Sequence, residues 1–184
     1  CGTGNLLKQL SKINKNDGSH FLGVDLNQDM LNMANNKDKR IAFELKEISE
    51  FIFPKTNYIS CTYNSLNYLN SNKNSFEKII INSCKSLIKN GKFMFDFKPY
   101  EFYQNIIKTK ISNSNNDFFI TKELSKSDDF IDLEVTCFLN QGGDTYTKKI
   151  FKQREYYIDT NYLIKLIKKE KNIDLNFVKK NLDL

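Results

Sequence analysis

Apolar positions recur at helical spacing near the start of the chain. Leu6, Leu7, Leu10 and Ile13 follow directly on the turn Gly2-Thr3-Gly4 and predict a helix. Residues 21–26 (Phe-Leu-Gly-Val-Asp-Leu) form a short apolar run ending in an acid, as a buried parallel strand does. Asn27 is placed to cap a helix carrying Met30, Leu31 and Ala34. Ile41, Phe43 and Leu45 alternate as a strand, and residues 57–63 supply another. Phe76, Ile79, Ile80, Cys84, Leu87 and Ile88 make one apolar stripe, with Asn90-Gly91 as a left-handed helix end. Lys92 to Phe97 follow as a strand. Helices alternating with strands predict an α/β fold with a doubly wound parallel sheet.

The second half changes character. After a helix near 101–111, residues 118–124, 130–139 and 145–157 read as successive strands, with Gln141-Gly142-Gly143-Asp144 as the hairpin turn between the last two. A helix near 160–170 and a final strand near 173–179 close the pattern. The 184 residues thus predict a single domain (1–184) in which 112–157 is an antiparallel insertion capping the same sheet.

Composition narrows the function. Apolar residues make up 40% and charged residues 27%, a globular balance. No apolar run approaches a membrane span. The net charge of +6 invites a nucleic-acid partner, but 26 Lys and 24 Asn stand against 2 Arg and 2 Ala. Arg supplies the bidentate contacts that nucleic-acid readers use, so the scattered Lys reads as a solvated surface. The four cysteines (1, 61, 84 and 137) form no CxxC, and His20 is the only histidine, so no metal site is predicted. Unpaired cysteines fit a reducing, cytoplasmic setting.

In an open parallel sheet, ligands bind beyond the carboxyl ends of the strands. The first residues to weigh are therefore Cys1-Gly2-Thr3-Gly4, opening a helix. Next is Asp25, which ends a strand 21 positions after Gly4 and is placed to accept both hydroxyls of a ribose. No Lys-Ser or Lys-Thr follows the glycines as a phosphate-binding loop requires. Leu7 occupies the place of the third glycine of a dinucleotide fingerprint, which ranks a dinucleotide-dependent oxidoreductase last. A ribose-bearing cofactor without phosphates fits better.

At this point the chain resembles the class I S-adenosylmethionine-dependent methyltransferases. Cys1 to Gly4 is similar to the end of that family's glycine-rich motif. Gly23-Val24-Asp25-Leu26 with Gln28-Asp29-Met30-Leu31 is similar to its second motif. Cys61-Thr62-Tyr63-Asn64-Ser65-Leu66-Asn67-Tyr68-Leu69 resembles the fourth-strand motif of a bacterial branch, and Leu87 to Phe97 the helix end, turn and strand that follow. Gln153-Arg154-Glu155-Tyr156-Tyr157 resembles the strand after that branch's antiparallel insertion.

The resemblance implies a Rossmann-like sheet, mostly parallel with an antiparallel last strand. It also implies a chain that starts inside the first motif and so lacks the family's central first strand. The implied cofactor is S-adenosylmethionine, with S-adenosylhomocysteine as product and no metal. Cys1, Gly2, Thr3 and Gly4 pass against the amino-acid part and ribose in this reading, and Asp25 takes the ribose hydroxyls. Leu26 and Met30 wall the adenine; Glu47 and Ile48 meet its edge. Thr62, Tyr63 and Asn64 line the methionine end, and Tyr63, Asn64 and Arg154 contact the acceptor.

Glu47 and Asn64 stand where the family usually carries Asp, and each keeps its hydrogen-bonding ability. These departures motivate a second reading, a cofactor-binding or partner protein that keeps the fold without turnover. A small molecule is the favoured acceptor. An RNA substrate is the lesser alternative, motivated by the pI of about 9.0.

Overall fold

A computed structural model describes residues 1–13, 18–35, 38–68, 73–104, 106–107, 110–128, 130–170, 174 and 176. The expected strand near 173–179 lies almost entirely outside them. The chain divides into two compact units, one of residues 1–66 and 71–96, the other of 67–70 and 97–184.

The first unit alternates helix and strand as the periodicity predicts. Its elements are α1 (Asn5–Ile13), β1 (Phe21–Asp25), α2 (Gln28–Asn35), β2 (Ile41–Leu45), β3 (Thr56–Cys61), α3 (Lys73–Ser86) and β4 (Leu87–Phe95). Asn27 caps α2 as expected: its Oδ1 accepts the Asp29 and Met30 N–H groups at 2.9 and 3.1 Å. β1 pairs β2 in parallel from Phe21↔Ile41 to Asp25↔Leu45, and β3 pairs β4 in parallel up to Cys61↔Phe95. Among the described residues these are two separate two-stranded ladders. The core of the unit is apolar, with Leu31, Ala34, Ile41, Ile59, Leu66, Phe76, Ile79 and Ile80 buried.

Two boundaries differ from expectation. The apolar stripe does not run on as helix to Ile88: α3 stops at Ser86, and Leu87 and Ile88 enter β4. Asn90 does take a left-handed φ of 64°, but inside β4, where the register slips between Thr56↔Leu87 and Tyr58↔Lys92. The slip leaves four residues of β4 (88–91) against one of β3 (57), and Asn90 is among the four.

Leu7, the residue in place of a third glycine, has a structural reason. A Cβ built on Gly23 would lie 2.8 Å from Leu7 Cδ1 and 2.6 Å from a Phe43 ring carbon. Gly23 is thus the gap that lets α1 and the Phe43 ring close on β1. Gly23→Ala is expected to destabilise the chain by about 1–3 kcal/mol through overpacking. A lowered midpoint in urea denaturation is the readout; an unchanged midpoint rejects the account.

The second unit is built on a four-stranded antiparallel sheet in the order β5 (Lys110–Ser114), β6 (Phe118–Ser127), β7 (Phe130–Gly142), β8 (Thr145–Tyr156). The antiparallel segment expected from 112 to 157 therefore begins two residues earlier. It also makes a ladder of its own among the described residues. Of the helix expected over 101–111, the described residues show α4 (Tyr100–Gln104), and residues 110 and 111 belong to β5, which pairs with β6. The glycine turn closes the β7–β8 hairpin as expected, with Gly142 and Gly143 at φ 107° and 60°. α5 (Thr160–Lys168) is capped by Asp159, whose Oδ1 accepts the Tyr162 N–H at 2.7 Å.

Polar burial in this unit centres on Glu155, 2% exposed near the end of β8. Its carboxylate accepts from Lys98 Nζ at 3.1 and 3.0 Å and from the Tyr103 hydroxyl. Burial, followed by the same carboxylate, pushes the Tyr68 phenol up to about 12 and raises that of Tyr103 further. Both phenols stay protonated and able to donate. The fully buried Asn67 carboxamide donates to the Lys98 and Tyr156 carbonyls at 3.0 and 2.9 Å and accepts the Lys98 N–H at 2.8 Å. Every group in this network has a partner, which is the condition for burying it.

Candidate cofactor site

The register of the first unit decides where the candidate residues fall. β1 and β2 end side by side at Asp25 and Leu45, and the Lys46 N–H donates to the Asp25 carbonyl at 3.0 Å. Asp25 and Glu47 therefore leave the sheet at the same end. β3 and β4 likewise end together, with the Asp96 N–H donating to the Cys61 carbonyl at 3.3 Å. Thr62, Tyr63 and Asn64 emerge there beside Asp96.

The glycine turn packs on the end of β1. Gly2 and Gly4 have φ of 56° and 72°, a left-handed conformation that favours glycine. Nothing lies within 4 Å of a Cβ built on Gly2, whereas one on Gly4 would meet Ala34 and Phe43 at 3.1 Å. Gly2 thus leaves open space over the turn, and Gly4 lets the turn close on α2 and β2. Cys1 N and Gly2 N donate to Asp25 Oδ2 at 2.9 and 2.7 Å, and the Asn27 N–H donates to Oδ1 at 3.0 Å. Burial works to raise the Asp25 pKa. The Asn27 N–H, the Cys1 nitrogen and the Gly2 N–H outweigh it, and the carboxyl sits below its ordinary value. Asp25 is ionised at neutral pH, and the acceptor capacity of a carboxylate exceeds three bonds.

The remaining residues fall into two groups. Leu26 and Met30 follow Asp25 and are 57% and 41% exposed, while Glu47 and Ile48 are half-buried just past β2. Glu47 Oε1 accepts from Ser49 Oγ at 3.3 Å. Thr62 and Asn64 are half-buried, and Tyr63 is 88% exposed. Tyr63 and Asn64 are consecutive non-glycine residues at φ 62° and 54°. Each such residue costs about 1–2 kcal/mol, less for Asn, and strained backbone of this kind persists only where its surroundings hold it. Arg154 lies in the second unit on the exposed face of β8, where it grips Asp132 at 2.6 and 3.1 Å across the β7–β8 register.

Cys61 ends β3, where burial pushes its thiol up to about 11. His20 is exposed ahead of β1, at the opposite end of that strand from Asp25. Among the described residues no group of three or more His, Cys, Asp or Glu is arranged to hold a metal ion. No helix among them is long and apolar enough to cross a membrane.

The chain matches solved structures over nearly its whole length. A S-adenosylmethionine-dependent methyltransferase from Clostridium acetobutylicum is 25% identical, with a TM-score of 0.77 over 91% of this chain and 68% of that one. Its fold is that of the class I S-adenosylmethionine-dependent methyltransferases. Two further methyltransferases share it at lower identity. CalS10 from Micromonospora echinaspora, an amino pentose methyltransferase with S-adenosylmethionine bound, is 11% identical with a TM-score of 0.77, over 92% of this chain and 71% of that one. The sugar N-methyltransferase KedS8 from Streptoalloteichus is 12% identical with a TM-score of 0.70, over 92% and 68%. No protein-family model and no curated protein matches the sequence.

Asp25, Glu47 and Thr62–Asn64 follow the carboxyl ends of β1, β2 and β3, the end at which an open sheet binds ligands, whereas Arg154 lies on β8 of the second unit. Sequence reasoning missed Asp96. It lies near the end of the Leu87–Phe97 stretch, but its link to Tyr63 and Asn64 spans more than thirty residues. An acid closing an apolar strand, as at Asp25, was the available signal.

Proposed function

We propose that this chain binds S-adenosylmethionine through the carboxyl ends of β1, β2 and β3 and methylates a small-molecule acceptor. The observation that carries the reading is the surface around Asp25: an ionised carboxylate with spare acceptor capacity, beside an open glycine turn and two exposed apolar side chains, Leu26 and Met30. A ribose diol and an adenine face need those two chemistries side by side. When bound, the cofactor supplies a methyl group on a positively charged sulfonium, with a neutral thioether as leaving group.

The chain's own residues would bind and orient. Asp25 accepts from the ribose hydroxyls, Gly2 and Gly4 let the backbone approach, and Cys1 and Thr3 complete the turn. Leu26 and Met30 cover the ring, with Glu47 and Ile48 at its edge. Thr62, Tyr63 and Asn64 close the methionine end, and Tyr63 and Asn64 face the acceptor. Fixing the two reactants in line and excluding water is the main catalytic contribution such a site can make.

A small acceptor is supported by the amino pentose and sugar methyltransferases among the structural neighbours. The four cysteines, none in a disulfide, suit a reducing cytoplasm.

Calorimetric titration with S-adenosylhomocysteine tests the reading. Saturable binding is expected, weakened at least tenfold by Asp25→Ala, about 1.4 kcal/mol. A folded protein that does not bind rejects it. Binding without methyl transfer to any amine or hydroxyl acceptor supports a cofactor-holding partner protein instead.

A further inference from the structure

We propose that Asp96 is a positioning residue that fixes the Thr62–Asn64 loop in its ligand-facing conformation. What the loop touches rests on the methyltransferase reading; the clamp itself rests on geometry within the first unit. The Tyr63 N–H donates to Asp96 Oδ2 at 3.1 Å and the Asn64 N–H to Oδ1 at 2.5 Å. Successive N–H groups turned to one side form a concavity that binds anions. Here the anion is the chain's own carboxylate. Asp96 is itself tied to β3, because its N–H continues the ladder to the Cys61 carbonyl. The loop is therefore referenced to the rigid strand end from both directions.

The clamp accounts for the backbone of this segment. Neither Tyr63 nor Asn64 is glycine, yet both hold left-handed φ values. The exposed Tyr63 ring gains no such order from packing. Two charge-assisted hydrogen bonds to one carboxylate supply what packing does not. A third bond, from Ser65 Oγ to the Thr62 carbonyl at 2.7 Å, closes the loop on its other side. Tyr63 is thus an aromatic ring on a fixed backbone, suited to meet a ligand without first ordering the chain.

Two measurements on the same variants test this. In amide hydrogen exchange, the unsubstituted protein is expected to protect Tyr63 and Asn64. Asp96→Ala removes that protection while the amides of β3 and β4 keep theirs. Asp96→Asn retains one acceptor oxygen, so protection survives at one of the two amides. In S-adenosylhomocysteine titrations, Asp96→Ala is expected to weaken binding at least tenfold and Asp96→Asn by less. Should Asp96→Ala not fold, Asp96→Asn carries both measurements. Affinity within twofold of the unsubstituted protein in the Asp96 variants, with Asp25→Ala still weakening it tenfold, overturns this inference alone. Absence of binding by the unsubstituted protein overturns the methyltransferase reading and the positioning role with it.

Discussion

Glu155→Ala is expected to cost about 3–5 kcal/mol of stability, the range for removing one partner of a buried ion pair. Glu155 is almost wholly buried and meets Lys98 with both oxygens, so the substitution strands a largely buried ammonium. Tyr103 loses its acceptor as well. The rings of Tyr68, Phe102 and Tyr103 lie 5.7–6.0 Å from the Lys98 nitrogen, but their attraction does not replace a carboxylate. Glu155→Gln keeps hydrogen-bonding oxygen and is expected to cost less. Adding Lys98→Met to Glu155→Ala removes the orphaned charge and should return part of the loss. Urea denaturation of the four proteins measures this; a loss below about 1 kcal/mol for Glu155→Ala would reject a closed, buried pair.

Phe76→Ala is the second large effect, also about 3–5 kcal/mol. Phe76 is fully buried on α3, as are Ile79 and Ile80 three and four positions on along the same helix. Loss of the ring removes apolar burial and leaves a cavity that relaxes only in part. Because α3 packs beside the Ile48–Glu50 turn, the damage reaches the end of β2 where Glu47 sits. A ligand that binds only the folded chain restores stability as its concentration rises, by about 2.7 kcal/mol at one hundred times Kd. Thermal melts of Phe76→Ala with and without S-adenosylhomocysteine should show that recovery. A midpoint unmoved by the substitution would contradict the core assignment.

How much of this was legible depended on the distance over which each residue acts. The helix after the glycine turn, the Asn27 cap, the strand ending at Asp25 and the glycine hairpin are local, and all four are found where the residues imply. The end of α3 was not legible. Leu87 and Ile88 continue the helical stripe in sequence, and only pairing with β3 draws them into a strand. β5 was missed for a similar reason. Lys-Ile-Ser-Asn-Ser has little strand character of its own, and β6 imposes it from one side. The site divides in the same way: Asp25 is visible as a carboxylate at a strand end, whereas Asp96 and Glu155 are ordinary acids until residues 32–57 positions away meet them.

The β7–β8 hairpin leaves a mark on how this sequence can diverge. Its base is constrained, because Ile131 is buried opposite Glu155, while Tyr146, Ile150 and Phe151 toward the tip are exposed and free to drift. Side chains alternate faces along a strand, so a single-residue deletion between the turn and Glu155 would turn that carboxylate to the opposite face. Descendants of this chain can therefore lengthen or shorten the hairpin by paired steps and keep the buried network. Odd steps are open to them only where a compensating bulge arises in the same arm.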